Sequence, residues 1–160
     1  MTDMINKFYT AFQEKDFETM ASCYHADVTF YDPVFQDLKG FEVSAMWRML
    51  IERAPELSIT FDNIKCENDK GSARWYAVYP FGKTNRIINN SIKAKFEFKD
   101  GLIINHKDNF DFWKWSRMAL GTPGLFLGWT PVVQNKVRKE AQLGLKMFIK
   151  RKRLDPNTKK

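Results

Sequence analysis

Apolar residues at the start of the chain recur at helical spacing, with Ile5, Phe8, Tyr9 and Phe12 on one face. Asp16-Phe17-Glu18 then restarts a second short helix, with Asp16 as N-cap and Met20 and Ala21 as its apolar positions. In "HADVTFYDP" the period changes to two, so that Val28, Phe30 and Asp32 share one face of a strand that stops at Pro33. A third helix is predicted in "FEVSAMWRMLIER", where Phe41, Ala45, Met46, Met49 and Leu50 form an apolar face that ends before Pro55. Four alternating runs follow: "ELSITFDNIKCEND", "GSARWYAVYPFGKTNR", "INNSIKAKFEFKD" and "GLIINHKDNFDFW", separated by the turns "NDKG", "GKTN" and "KDG". Connections this short imply an antiparallel meander, and the whole order predicts an α+β domain whose curved sheet wraps around its helices and encloses a pocket.

The pattern changes again after residue 121. "GTPGLFLGWT" reads as an apolar turn region holding Leu125, Phe126, Leu127 and Trp129, after which Pro131 can open a helix. Val133, Val137, Ala141, Leu145 and Phe148 recur along that helix, while Lys136, Arg138, Lys139 and Lys150 take other faces. The chain therefore divides into a domain over 1–121 and a basic amphipathic extension over 122–160 that packs on the domain or on a partner.

Charge sharpens this division. The net charge is +7, but residues 136–160 hold ten Lys/Arg against two acids, leaving 16 bases against 17 acids elsewhere. The domain body is close to neutral, and an anionic partner would meet the tail. A basic helix over 131–153 suits an anionic membrane surface. Nucleic acid is disfavoured because no stacking aromatics interleave with the basic residues beyond Phe148.

With 160 residues, 44% hydrophobic and 15% aromatic, the chain has ample material for one core. It has no apolar run of membrane-spanning length, and "MTDMINKFYTAF" lacks the basic and apolar regions of a signal peptide, so a cytoplasmic protein is expected. Cys23 and Cys66 stand alone and read as reduced thiols. There is no Gly-rich phosphate loop and no nucleophile elbow. With two histidines in all, a metal centre built from His106, Asp108 and Asp32 is not the favoured reading, and neither metal nor cofactor is expected.

The candidate chemistry lies at two strand ends. Asp32, beside Val28 and Phe30, is a carboxylate on an apolar face, where lost solvation raises a carboxyl pKa; an Asp-Pro turn former is the plainer alternative. His106 and Asp108 share one face of the last strand and could hold a proton shuttle near neutral pH. Asp111 has the opposite parity and stands where a helix begins, so it reads either as a pocket acid after a bulge or as an N-cap. Phe30, Trp47 and Tyr76 are candidate lining residues for an apolar ligand, with Trp47 placed at the pocket mouth or on a partner surface. His25 is expected to face solvent.

"KDFETMASCYHADVTFYDP" and "KDGLIINHKDNFD" resemble the opening and closing segments of SnoaL-like proteins in the nuclear transport factor 2-like superfamily, which includes ketosteroid isomerases, limonene epoxide hydrolase and polyketide cyclases. The similarity covers roughly residues 4–121. It implies a cone of the cystatin-like roll type and, by analogy with relatives, a homodimer formed through the outer sheet face. It also places Asp32 where the isomerases carry their general base. Their two oxyanion donors would fall at Phe8 and Ala94, which have no suitable group, so classical steroid isomerisation is not expected. Asp108 falls near an essential carboxylate of limonene epoxide hydrolase, but "SARWYAVYP" offers Arg74 and Tyr76 without that enzyme's second acid. Asp111, ahead of "FWKWSRMALG", matches the acid-base aspartate of the cyclases. Three readings follow: a cofactor-independent acid-base enzyme for a small apolar substrate, a passive binder of such a molecule, and a module that acts through its tail.

Overall fold

The computed structural model describes residues 1–82 and 84–156. Lys83, within the expected "GKTN" turn, and the last four residues of the extension lie outside the described residues. Two short helices, α1 (Thr2–Gln13) and α2 (Phe17–Ser22), lead into β1 (Tyr24–Tyr31), a two-residue β2 (Leu38–Lys39) and α3 (Phe41–Arg53). The meander comprises β3 (Ser58–Glu67), β4 (Lys70–Phe81), β5 (Arg86–Lys99) and β6 (Leu102–Asn109). After it come α4 (Phe112–Leu120), α5 (Thr122–Leu127) and α6 (Pro131–Lys152).

The strands form one sheet in the order β2-β1-β6-β5-β4-β3. The four meander strands pair antiparallel as expected, whereas β1 joins β6 in parallel, with Phe30 beside His106. Local chemistry sets the register: Lys99 pairs with Leu102 across Asp100-Gly101, both at positive φ, which is the geometry of a two-residue hairpin turn. Asp16 caps α2 by accepting from the Thr19 amide at 2.9 Å. Along β5, buried Ile88, Asn90, Ile92, Ala94, Phe96 and Phe98 alternate with exposed Lys93, Lys95 and Glu97, so one sheet face is turned inward and is apolar but for Asn90 on this strand.

Two apolar clusters fill the inward side. The larger joins α1, α3 and the inner sheet face, and the smaller gathers Ile88, Phe112, Trp115 and Ala119 under α4. Val34, Tyr79 and Phe110 touch both clusters and mark the seam between them.

The extension packs on its own domain. Leu145 and Phe148 of α6 are buried in the main core, Arg53 Nη2 donates to the Gly144 carbonyl at 3.2 Å, and Lys152 pairs with Glu52 at 2.8 Å. Nearer its start, Arg138 Nε donates to the Pro33 carbonyl at 2.9 Å. Among the described residues no helix is long and apolar enough to cross a membrane.

A helix that is part of the core should show it on truncation. Phe148→Ala is expected to cost about 3–5 kcal/mol in urea unfolding, while exposed Met147→Ala should change stability by no more than about 0.5 kcal/mol. Equal, small effects would show that α6 contributes little to the folded domain.

Candidate active site

β6 presents His106 and Asp108 to the interior by strand parity, and both are almost wholly buried, at 0% and 2% exposure. Burial of this kind requires hydrogen-bond partners. Asp108 Oδ1 lies 3.1 Å from His106 Nε2 and accepts from Trp75 Nε1 of β4 at 3.3 Å. His106 Nδ1 lies 2.7 Å from the Tyr24 hydroxyl of β1, which accepts from Trp47 Nε1 of α3 at 2.8 Å. A carboxylate only accepts, so His106 donates through Nε2–H to Asp108, and in that tautomer Nδ1 accepts from the Tyr24 hydroxyl while the hydroxyl oxygen accepts from the Trp47 indole. Trp47, Tyr24, His106, Asp108 and Trp75 thus form one directed chain across four elements.

Aromatic rings surround this chain. The His106 ring lies 4.4 Å from the Phe96 centroid, 5.1 Å from Phe30, 5.5 Å from Phe8 and 5.8 Å from Trp47. Burial first, and then the charge of Asp108, raises the Tyr24 and Tyr9 phenols well above their ordinary range. The buried Tyr9 hydroxyl has no hydrogen-bond partner among the described residues. No three His, Cys, Asp or Glu side chains gather as a metal site among the described residues.

Asp32 combines both roles suggested by the sequence. Its Oδ1 accepts from the Val34 and Phe35 amides at 2.6 and 2.5 Å, and its own amide bonds to the Phe35 carbonyl at 2.8 Å. One oxygen is therefore committed to the turn, while Oδ2 makes no hydrogen bond among the described residues. Burial pushes the carboxyl up to about 7 against the pull of the two amides, and the charge of Asp108 raises it further. Asp32 in turn raises the phenol of Tyr79, a shift dominated by burial and opposed by the Trp115 indole, which donates to the Tyr79 hydroxyl at 3.0 Å.

Several expected residues lie elsewhere. Asp111 is exposed and caps α4, accepting from the Lys114 amide at 2.9 Å; no bulge turns it inward. Tyr76 shares parity with Arg74 on the outer sheet face, where its hydroxyl reaches Asp62 at 3.4 Å. Trp47 is buried in the cone, not at a mouth or partner surface, because its indole completes the polar chain. Phe30 lies beside His106, and Ala94 stands opposite Asp108 on β5. His25 is inside β1 and partly covered, 3.7 Å from the Asp27 carboxylate. Tyr24, Trp75 and Tyr79 escaped the sequence reading. The polar side chain of Arg74 was the available signal, since it marks the even positions of β4 as outward and Trp75 and Tyr79 as inward.

A model of the SnoaL-like domain matches residues 5–106. The chain belongs to the SnoaL-like family. Solved structures agree on the nuclear transport factor 2-like cone. An LEH-like epoxide hydrolase from M. tuberculosis is 18% identical with a TM-score of 0.61, over 77% of this chain and 90% of that one. IdmH from Streptomyces antibioticus, a candidate polyketide cyclase, is 19% identical with a TM-score of 0.59, over 76% and 96%. TerC, co-crystallised with polyporic acid, is 13% identical with a TM-score of 0.64, over 74% and 97%. A comparison with curated protein sequences finds no match. Within this SnoaL-like chain, the matched region spans Asp32 and His106, whereas Asp108, α4, α5 and α6 lie beyond it.

Asp32 makes a signed prediction about stability. Its folded pKa of about 7 lies above the unfolded value of about 3.9, so the stabilisation is fully present below about pH 4 and is lost as pH rises to 7. Discounted for the carboxyl's partial exposure, the loss is on the order of 2–3 kcal/mol. Asp32→Asn should flatten that decline and be the more stable protein at pH 8, measured by urea unfolding across pH. Parallel profiles for the two proteins would remove Asp32 as the source. Tyr24→Phe should cost about 2–4 kcal/mol, because it strips partners from two buried ring nitrogens, with Tyr76→Phe near neutral as the control.

Proposed function

We propose that the protein is a cofactor-independent acid-base enzyme, an isomerase, cyclase or hydrolase, acting on a small, largely apolar molecule at the seam beside Asp32. The observation that carries this reading is the division of labour within one carboxyl group. Oδ1 is fixed by two amides, while Oδ2 makes no hydrogen bond among the described residues, on a group whose pKa of about 7 lets it both take and return a proton near neutrality.

Tyr79 supports the same reading. Its oxygen accepts from Trp115 and its hydroxyl donates to no group among the described residues, so its proton is available to a developing oxyanion. That would supply a donor from β4 in place of the two absent at Phe8 and Ala94. The Asp108–His106–Tyr24 chain lies deeper, among packed rings, and its role is to fix Asp108 in place, where its charge adds to the burial that raises the Asp32 carboxyl. The relatives named above as an epoxide hydrolase and a candidate polyketide cyclase support including hydrolase and cyclase among these alternatives.

The test is turnover of a panel of cyclic ketones, quinones and epoxides, with proton exchange next to carbonyls followed by NMR in deuterated water. An active substrate should show kcat/KM rising with pH and levelling above about 7. Asp32→Asn should lower kcat by about 100-fold or more, and Tyr79→Phe by a similar factor with little change in KM. Turnover that survives Asp32→Asn, or a flat pH profile, would refute the assignment.

A further inference from the structure

The outward face of α5 and α6 is built the wrong way round for a protein that meets only water. In α5, glycines face the domain: a Cβ on Gly124 would fall 2.0 Å from the Ser116 carbonyl oxygen, and one on Gly128 would fall 1.9 Å from Ser116 Oγ. The large side chains point away. Phe126 is 66% exposed, Leu127 52%, Trp129 63% and Val132 77%. The indoles of Trp113 and Trp129 donate to the Leu125 and Phe126 carbonyls at 3.2 and 3.1 Å, which satisfies their polar edges and holds both rings against α5.

The exposed face of α6 continues the theme. Val132, Lys136, Lys139, Leu143, Met147 and Lys150 are spaced four, three, four, four and three residues apart, so they form one stripe in which apolar and basic groups interleave. It is a second stripe, distinct from the buried one of Leu145 and Phe148. Glu140 lies beside it, but residues 112–139 contain five Lys/Arg and no acid.

We infer that this face docks on a lipid bilayer bearing anionic headgroups, with Phe126, Leu127, Trp129 and Val132 entering the interfacial layer and the α6 lysines meeting the headgroups. Charge decides between occupants. A second copy set on the same face would bring lysines against lysines, whereas an anionic bilayer supplies both the apolar layer and the opposite charge.

The full chain should cosediment with vesicles of phosphatidylcholine mixed with phosphatidylserine, more weakly with phosphatidylcholine alone, with tryptophan emission shifted to the blue and binding weakened by salt. Phe126→Ser, Leu127→Ser and Trp129→Ser combined, and separately Lys136→Glu with Lys139→Glu, should each reduce binding by about tenfold or more. Unchanged urea midpoints would show that both variants remain folded. Failure of the full chain to bind the mixed vesicles, or full binding by both variants, would overturn the proposal. A concentration-dependent dimer abolished by the triple serine variant would also overturn it and assign the face to a second copy. These readouts do not depend on catalysis.

Discussion

A carboxylate placed among aromatic rings must be given donors, and Asp108 receives two, from His106 and Trp75. That requirement propagates outward. His106 needs Tyr24, Tyr24 needs Trp47, and so α3, β1, β4 and β6 are tied through one run of hydrogen bonds at the centre of the cone. A chain of this kind holds only if every member is satisfied, because each unpaired group in a dry interior carries a desolvation cost of about 1–3 kcal/mol. The same buried charge then helps set the environment of Asp32 at the edge of the interior. Burial is the larger influence on that carboxyl, and the charge of Asp108 adds to it.

Much of this was legible in the chain. Alternation exposed the strands, Asp-Gly located a hairpin, and parity placed Asp32 inward and His106 with Asp108 on a single face. The partner of β1 was not legible, because parallel pairing with β6 joins residues 76 positions apart, as in Phe30 with His106, and leaves no local mark. Tyr24 lies just before the alternation becomes regular, and the β1–β6 register shifts between Tyr24 and Thr29, so its inward position follows from tertiary pairing rather than from pattern. The "GTPGLFLG" segment looked like a turn because of its glycines and proline. Two of those glycines, Gly124 and Gly128, serve instead as contact points that bring α5 against Ser116.

The family match stops at residue 106, yet the structure does not divide there. Asp108, α4 and α6 lie beyond it, yet α4 covers a seam that Val34 and Tyr79 of the matched region share with Phe110, and α6 packs on the domain, so neither is a loose tail. α6 carries one stripe that belongs to the core and another that faces outward, so a single helix both completes the domain and extends the exposed apolar surface begun by Leu125, Phe126, Leu127 and Trp129.

The bond from Arg138 to the Pro33 carbonyl joins these two regions in an unexpected place. Pro33 directly follows Asp32, in the turn whose amides hold the carboxyl. Trimming the chain to its family domain, a common step in preparing a soluble fragment, would therefore edit the candidate site at the same stroke. A faithful biochemical preparation has to carry the whole chain.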